Sequence, residues 1–265
     1  MDKPASHPDQ PGAPIISVVY PDAPGVVTRR RTLQADFHVR PHWHERAQLL
    51  YASHGVMRIS TQRRLWIVPP TRVLWIPAQV VHEIRMSSAV DMRSLYLDAS
   101  LTRNMPPGCA VLEVTPLMRE LMLRVSESET AAPRQGGPEH DVLSAALLLE
   151  LGRLPAGGFE LPLPASDDLR DLCADLLADP TLAATPACAA ARLGVSDRTL
   201  YRRFLRETGL SFRRWTEQAR LLEAVRRLAE GVPVTTVALD LGYQSPSAFS
   251  AMFHRHMGVP PRQWR

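Results

Sequence analysis

The sequence predicts a two-domain α+β protein, with a β-barrel or sandwich and flanking helices in its N-terminal part and an all-α domain in its C-terminal part. Short β-type runs separated by turns occupy about residues 15–112, and helical apolar spacing follows as far as 154. From 166 to the end the spacing is again helical, and it includes an internal repeat. Closely spaced short strands are typical of sandwiches and barrels, and the 3.6-residue period is typical of helices.

Length and composition fit a globular protein. The chain has 265 residues, of which 45% are apolar and 22% charged, and no run approaches the ~20 apolar residues of a membrane span. Residues 1–14 are rich in proline and polar side chains, which favours a disordered tail over a secretory signal. Three widely spaced cysteines favour reduced thiols and a cytoplasmic location.

Arginine carries almost all of the positive charge. The net charge is +4, and Lys3 is the only lysine. From Ser166 onward there are 14 arginines against 11 acidic residues. The planar guanidinium suits phosphates and guanine edges, but genome composition also produces arginine-rich proteins. Charge alone therefore favours nucleic-acid binding only slightly.

Six β-type runs lie in the N-terminal part: ISVVY, AQLLYAS, VMRIS, RLWIVPP, RVLWIP and VHEIRM. Two helices are predicted within 113–154, with the loop SETAAPRQGGP between them. Their apolar stripes contain Leu117, Leu121 and Val125, then Val142, Ala146 and Leu149. The pair is expected to cap the barrel, to form a dimer seam, or both. The proline- and glycine-rich segment 155–165 is expected to be a linker.

An internal repeat in the last 100 residues is the most informative feature. AARLGVSDRTLYRRFLRETG (190–209) is followed by ALDLGYQSPSAFSAMFHRHMG (238–258). Each unit has a small alanine, a glycine able to end a helix, an N-capping serine and an i,i+4 apolar pair, which a helix-turn-helix requires. The repeated residues are Ala190, Leu193, Gly194, Leu200, Phe204 and Gly209, matched by Ala238, Leu241, Gly242, Phe249, Phe253 and Gly258.

The second helix of the first unit has two different faces. At 100° per residue, Leu200 and Phe204 fall on one side, and Arg198, Arg202 and Arg206 fall roughly opposite. Between the units, residues 211–231 read as one amphipathic helix of roughly 30 Å. This length is close to one turn of B-DNA, so both second helices are expected to reach successive major grooves.

The last 100 residues resemble the AraC/XylS family of transcription regulators, through LGVSDRTLYRRFLRETGLSF, RLLEAVRRLAEG and VALDLGYQSPSAFSAMFHRHMGVPPRQWR. The resemblance implies a DNA-binding domain over 166–265 with two helix-turn-helix units, joined to an N-terminal effector and dimerisation domain. It implies an activator or repressor that binds promoter DNA, pairs as a homodimer and contacts RNA polymerase.

The outer faces of the two second helices supply the candidate DNA contacts, and those of the second unit are the weaker ones. The candidates are Asp197, Arg198, Tyr201, Arg202 and Arg206 in the first unit, and Ser247, Ser250, His254 and Arg255 in the second. The family usually has an arginine in the second unit at the position matching Arg202, where this chain has Ala251. The second unit is therefore expected to read bases less strongly.

The stretch PHWHERAQ (41–48) places His42 and His44 on one face of a strand. HWHERAQLLYASHG and WIPAQVVH resemble the two cupin motifs, with Gln48 at the glutamate position and Gln79 at the glycine position. The resemblance implies a cupin-like barrel over 15–112 in which His42, His44 and His82 converge, with Gln48 as a weaker oxygen ligand. Such a set suits zinc, nickel, iron or manganese, or else it lines a pocket for an organic effector.

A metal-dependent cupin enzyme is the alternative function. It would use the same three histidines, but the acidic ligand is missing and a complete DNA-binding domain would have no role. No Ser-His-Asp arrangement, phosphate loop or dinucleotide fingerprint stands out in the sequence. The sequence therefore favours a regulator without enzymatic activity.

Overall fold

The computed structural model describes residues 16–18, 25–127, 137–155, 160–179, 185–257 and 259–263, the first three through their backbone only. The predicted tail (1–14), most of the predicted loop between the two N-terminal helices, and Gly258, Trp264 and Arg265 lie outside the described residues. The chain divides into two compact units. One contains the residues up to 61 and 68–158, and the other contains 62–67 and 159–265.

The described residues form eleven strands in two sheets, which confirms the predicted barrel or sandwich. One sheet has the order β10-β7-β4-β9-β2, and in the other β1, β3, β8 and β5 lie side by side, with β1 parallel to β3. The strands are β1 Ile16–Val18, β2 Val26–Leu33, β3 His38–His44, β4 Ala47–His54, β5 Met57–Ser60, β6 Arg64–Val68, β7 Arg72–Ile76, β8 His82–Met86, β9 Val90–Leu97, β10 Ala110–Glu113 and β11 Glu160–Pro162.

The five-stranded sheet separates an apolar core from a polar interior. Its side chains alternate between the two faces, so Leu49 and Tyr51 of β4 point one way and Gln48 points the other. The face with Leu49 and Tyr51 packs on two helices, α1 Pro116–Glu127 and α2 Pro138–Leu151, around buried side chains such as Trp75 and Met118. The opposite face, with Gln48, lines a cavity inside the first unit.

The helix pair covers this sheet with only part of its apolar surface. Leu121 and Val125 of α1 are buried, and so is Leu147 of α2. Val142 and Leu149, which belong to the predicted stripe of α2, are each 68% exposed. Because α2 is apolar around much of its circumference, apolar spacing alone did not identify the face that is buried.

The second unit confirms the predicted all-α domain with two helix-turn-helix units and a long connecting helix. A short 3-10 helix, Pro261–Gln263, follows near the C-terminal end. The helices are α3 Asp167–Ala178, α4 Pro186–Arg192, α5 Asp197–Thr208, α6 Phe212–Ala229, α7 Val234–Asp240 and α8 Pro246–Met257.

The predicted linker contains a strand that the sequence did not predict. β11 pairs antiparallel with β6 inside the second unit. The carbonyl oxygen of Pro162 then accepts a hydrogen bond of 2.7 Å from the indole Nε1 of Trp215 in α6. A three-residue strand with a proline has almost no pattern of its own, which explains why it was missed.

The turns of both helix-turn-helix units have the same geometry. Gly194 and Gly242 have φ values of 64° and 78°, a left-handed conformation that glycine adopts without strain. In each unit the next residue donates a backbone hydrogen bond of 3.0 Å to the carbonyl of the repeated alanine. These bonds join Val195 to Ala190 and Tyr243 to Ala238.

Candidate functional site

The outer face of α5 presents the candidate DNA-contact residues of the first unit. Leu200 and Phe204 are fully buried on the inner face, where the Phe204 ring makes edge contacts with the rings of Phe212 and Trp215. On the outer face the assigned side chains are all exposed. They are Asp197, Arg198, Tyr201, Arg202 and Arg206.

Polar contacts with α3 fix the orientation of α5. The Arg203 guanidinium donates to both carboxylate oxygens of Asp168 at 2.7 and 2.8 Å. The Glu207 carboxylate accepts hydrogen bonds from the backbone amides of Ala165 and Ser166 and from the Ser166 hydroxyl. Partial burial would raise the pKa of Glu207, but these bonds outweigh it and hold that pKa below its ordinary value. The inner side of α5 is thus anchored while the outer side stays open.

Both second helices begin at the predicted N-caps. The Ser196 hydroxyl accepts a hydrogen bond of 3.2 Å from the Thr199 amide, and the Ser245 hydroxyl accepts one of 3.1 Å from the Ala248 amide. Such caps satisfy backbone donors that an α-helix leaves open at its N-terminus. The first turn of each helix is therefore fixed in position.

The outer face of α8 is less cationic than that of α5. Ser247, His254 and Arg255 are exposed, and Ser250 is partly buried. Ala251 is exposed at the position that matches Arg202, so a methyl group replaces a guanidinium there. The inner face buries Phe249, Met252 and Phe253.

The three histidines of the cupin-like motifs meet inside the first unit. His42 on β3 lies directly opposite His82 on β8, and His44 lies two residues farther along β3 on the same face. A register shift between Val39 and His42 bulges the strand next to Pro41, a residue that cannot donate to a sheet ladder.

The imidazoles are close together and buried. Their ring centroids are 4.4 Å apart for His42 and His82, 4.9 Å for His42 and His44, and 5.4 Å for His44 and His82. One nitrogen from each ring lies within 4.8 Å of the others. The exposed fractions are 4% for His42, 3% for His44 and 1% for His82.

Backbone carbonyls orient two of these rings. The Nδ1 of His42 lies 2.7 Å from the carbonyl oxygen of Arg40, and the Nδ1 of His82 lies 2.9 Å from that of Val80. Because a carbonyl only accepts, each Nδ1 carries the hydrogen and each Nε2 carries a lone pair. The Nε2 of His82 is buried and has no hydrogen-bond partner among the described residues. This is the ring arrangement that metal-binding histidines usually have.

Burial keeps the triad neutral. It lowers the pKa of His44 to about 2 and that of His82 to about 3. His42 lowers both pKa values further, and His82 also lowers that of His44. Burial also lowers the pKa of His42, and the positive charges of Arg31 and Arg29 act in the same direction. Neutral imidazoles are the form that ligates a metal.

Gln48 lies in the same cavity. Its amide Nε2 donates to the Ser94 hydroxyl at 3.0 Å and to the Tyr96 hydroxyl at 3.3 Å. The Tyr96 ring in turn contacts the His44 ring, with 4.9 Å between centroids. Gln48 is therefore held in place by β9 and brings an amide, without a charge, to the cavity.

Several residues of this cavity were not predicted from the sequence. Arg29 and Arg31 on β2, and Met92, Ser94 and Tyr96 on β9, line it together with His42, His44 and Gln48. Neither strand was among the predicted β-type runs, because VTRRRT and VDMRS lack a clear apolar alternation. The free volume is about 20 Å³, enough for about one water molecule and far below the ~300 Å³ of a small-molecule pocket. This size fits an ion or a small head group.

Two backbone positions support the cupin-like motifs. At Gly55, φ is 82° and a Cβ would lie 2.1 Å from the carbonyl oxygen of Ala89, so only glycine fits. Gln79 occupies the glycine position of the second motif and keeps the left-handed conformation, with φ of 62°. The backbone amide of Gln79 donates a hydrogen bond of 2.8 Å to the backbone carbonyl oxygen of His44. The departure at position 79 therefore preserves the turn that leads into β8.

Comparison with known proteins decides the family. Two family models match the chain, an AraC-like ligand binding domain over residues 24–152 and a helix-turn-helix domain over residues 189–265. The HTH-type transcriptional regulator NimR of Escherichia coli strain K12 is 32% identical over 223 residues, which cover 84% of this chain and 81% of NimR. The chain belongs to the AraC family of transcription regulators.

As an AraC-family member, the protein is a DNA-binding transcription regulator with a ligand-binding sensor domain, and it is not a cupin enzyme. The HTH-type transcriptional regulator RipA of Corynebacterium glutamicum is 35% identical over 100 residues, which cover 38% of this chain and 30% of RipA. A solved structure of ToxT from Vibrio cholerae is similar with a TM-score of 0.38 and 11% identity, over 91% of this chain and 97% of the ToxT chain.

Within the described part of the chain, no helix combines the length and apolar character that crossing a membrane requires.

Proposed function

We propose that this AraC-family regulator reads its operator mainly through α5 and that a divalent metal ion bound by the histidine triad serves its sensor domain. The observation that carries the first part is the division of α5 into two faces. Its apolar face is fully buried and its arginine face is open to solvent.

Arg198 and Arg202 are the main base-reading residues in this proposal. They lie in the first half of α5, the part of a recognition helix that meets base edges. Neither side chain has a hydrogen bond or ion pair with a described residue, so both guanidinium groups are available for guanine O6 and N7. Arg206 has an ion pair of 3.4 Å with Glu207, and we assign it to phosphate contact together with Tyr201. Asp197, in the first turn, suits a cytosine amino group.

The second unit mainly positions the protein on the DNA. Ser247, Ser250, His254 and Arg255 offer hydroxyl, imidazole and guanidinium donors, which suit phosphate oxygens. Ala251 offers no donor, so base reading by α8 is weak. Binding of the full chain to operator and scrambled duplexes tests this division of roles. Arg198→Ala and Arg202→Ala should reduce the preference for operator, whereas Ser247→Ala should weaken binding to both duplexes by a similar factor.

The triad fits a divalent ion by its donor set. Three neutral imidazoles converge, two of them with their Nε2 lone pairs fixed by a carbonyl on the other side of the ring. Tetrahedral nitrogen ligands about 2.1 Å from zinc lie roughly 3.4 Å apart, and small side-chain rotations bring nitrogens within 4.8 Å of one another to that spacing. Zinc, nickel, iron and manganese all accept imidazole ligands, and Gln48 supplies an oxygen as a weaker fourth ligand. When bound, the ion offers an open coordination position to an effector.

Metal content tests this assignment. Purified full-length protein should carry or take up about one divalent ion per chain, measured by elemental analysis and by titration with Zn²⁺. The double variant His42→Ala, His44→Ala should lose the ion and the transcriptional response, yet keep basal DNA binding, because the histidines lie in the other unit. His54→Ala is the matched control, since His54 is exposed at the end of β4. Undiminished uptake in the double variant would move the ion elsewhere.

The remaining assignments follow from the same role. The proposed limits are a sensor domain over 15–112, the helix pair over 113–154, a connection over 155–165 and the DNA-binding domain over 166–265. Homodimerisation through the open face of α2 would let two weak readers bind one operator together. Promoter DNA and RNA polymerase are the proposed macromolecular partners, and the proposed location is accordingly the cytoplasm.

A further inference from the structure

The outer face of α5 has a large apolar side chain among its arginines. Leu205 is 40% exposed. At 100° per residue it lies within about 60° of Arg198 and Arg202 around the helix axis. Leu200 and Phe204, which are buried, lie about 100–140° away from it. Leu205 therefore belongs to the face that the two proposed base-reading arginines occupy.

Exposure alone does not distinguish Leu205, because single exposed leucines are common on protein surfaces. Leu239 on α7 is more exposed, at 61%. The two leucines differ in the helix that carries them. In a helix-turn-helix the second helix lies in the major groove and the first helix crosses the DNA backbone. Leu205 is on the second helix of its unit and Leu239 is on the first, so only Leu205 is expected to face base edges.

The spacing of Leu205 from its neighbours is that of a base-reading set. A homeodomain reads bases with side chains of one helix at positions i, i+3, i+4 and i+7. Arg198, Tyr201, Arg202 and Leu205 have the same spacing. The last of them lies about 10.5 Å beyond the first along the helix axis, which is about three base-pair steps.

The chemistry of a leucine narrows what it can recognise in the groove. Its side chain has no hydrogen-bond donor or acceptor, so it binds neither phosphate oxygens nor the polar edge of a base. The apolar group that distinguishes one base in the major groove is the C5-methyl group of thymine. Leu205 follows Arg202 by about 4.5 Å along the helix, so the thymine should lie within about two base pairs of the guanine that Arg202 reads.

We propose that Leu205 contacts the C5-methyl group of a thymine in the operator and thereby contributes to sequence specificity. The proposal rests on the proposed reading of the operator by α5. It adds a base that the arginines do not read.

Deoxyuridine tests the contact, because it pairs as thymidine does and lacks only the methyl group. Each thymine of an operator selected by the full-length protein is replaced singly, and binding is measured by fluorescence anisotropy. One replacement near the guanine read by Arg202 should weaken wild-type binding about fourfold, which is the value of one buried methyl group. Leu205→Ala should bind the thymine operator about fourfold or more weakly and should no longer respond to that replacement.

Leu239→Ala is the matched control, because it truncates an exposed leucine on the other helix of a helix-turn-helix. It should bind like wild type and keep the response to deoxyuridine. Urea unfolding of both variants checks that each is folded, which is expected because both side chains are exposed.

The outcomes separate the thymine contact from the proposed guanine reading. If every sensitive thymine stays sensitive in Leu205→Ala, or if wild type responds to no replacement, the proposal is overturned. In either case a loss of operator preference in Arg202→Ala would leave reading by α5 intact. If Arg202→Ala keeps the operator preference while Leu205→Ala loses the methyl response, the thymine contact is supported and only the guanine assignment fails.

Discussion

Two neighbouring arginines on α5 allow the effect of charge on DNA affinity to be distinguished from the effect of a direct contact to a base. Arg202 is exposed and has no partner among the described residues, whereas Arg203 points inward and donates two hydrogen bonds to Asp168. Arg202→Ala and Arg203→Ala each remove one positive charge from the same turn of the same helix. Long-range attraction to DNA therefore falls by the same amount in both variants, and any difference in affinity comes from direct contact.

Arg202→Ala should reduce DNA affinity, whereas Arg203→Ala should mainly reduce stability. A bidentate contact to a base is worth about 1–3 kcal/mol, so Arg202→Ala should weaken operator binding roughly 5- to 150-fold. In Arg203→Ala, buried Leu200 and Phe204 and the hydrogen bonds of Glu207 still hold α5 in place. Only screened charge is then lost, and operator binding should weaken less than about threefold. The partly exposed ion pair with Asp168 contributes about 1 kcal/mol or less, so Arg203→Ala should lower the free energy of unfolding by that amount and Arg202→Ala should not.

Fluorescence anisotropy measures both effects, with an operator selected by the full-length protein from random duplexes and a scrambled duplex as reference. For Arg202→Ala the ratio of operator affinity to scrambled affinity should fall while the salt dependence stays nearly constant. A phosphate contact would instead reduce the salt slope by ~1 and leave the ratio intact. Equal loss of operator affinity in both variants would refute the assignment of Arg202 to base reading.

Three further predictions concern stability and assembly. In metal-free protein, the free energy of unfolding in urea should fall on the order of 2 kcal/mol for each of His44 and His82 between pH 7.5 and pH 5, because their folded pKa values of about 2 and about 3 lie below the 6.5 of an exposed histidine. Only the unfolded chain then binds protons in this window, and a pH-independent urea midpoint would contradict it. Gly55→Ala should destabilise the fold by about 2–3 kcal/mol in the same assay, because it strains the backbone and forces a Cβ against Ala89; a midpoint unchanged from wild type would show that the turn adapts. Wild-type protein should sediment as a dimer at micromolar concentration and Leu149→Arg as a monomer, whereas a wild-type monomer with and without DNA would refute the dimer.

The sequence was most predictive where a pattern recurs. Two copies of the alanine, glycine and capping serine pattern placed both helix-turn-helix units, and the turns at Gly194 and Gly242 have the conformation that the pattern requires. Each position is constrained by local backbone chemistry, which a sequence displays directly. The spacing of His42, His44 and His82 was informative for the same reason, because strand alternation fixes which side chains share a face.

The features that the sequence did not predict depend on how distant segments pack together. Arg29 and Arg31 belong to a run of three arginines on an edge strand, and only the pairing of β2 with β9 shows which of the three face the cavity. Likewise, α2 is apolar on most sides, so the sheet it packs on decides that Leu147 is buried and Leu149 is exposed. Which side chain is buried depends in both cases on a packing partner that is distant in sequence, so the apolar period alone does not predict it.

Position 48 has a neutral amide where the cupin motif has a glutamate. Gln48→Glu would add a negative charge beside the three histidines. The variant should therefore bind Zn²⁺ at least tenfold more tightly than wild type, because a charged oxygen ligand replaces a neutral one. Calorimetric titration of the full-length variant measures this affinity, and Gln48→Ala serves as the control that removes the amide without adding charge. If Gln48→Glu binds Zn²⁺ no more tightly than wild type, the side chain at position 48 is not a ligand of the ion.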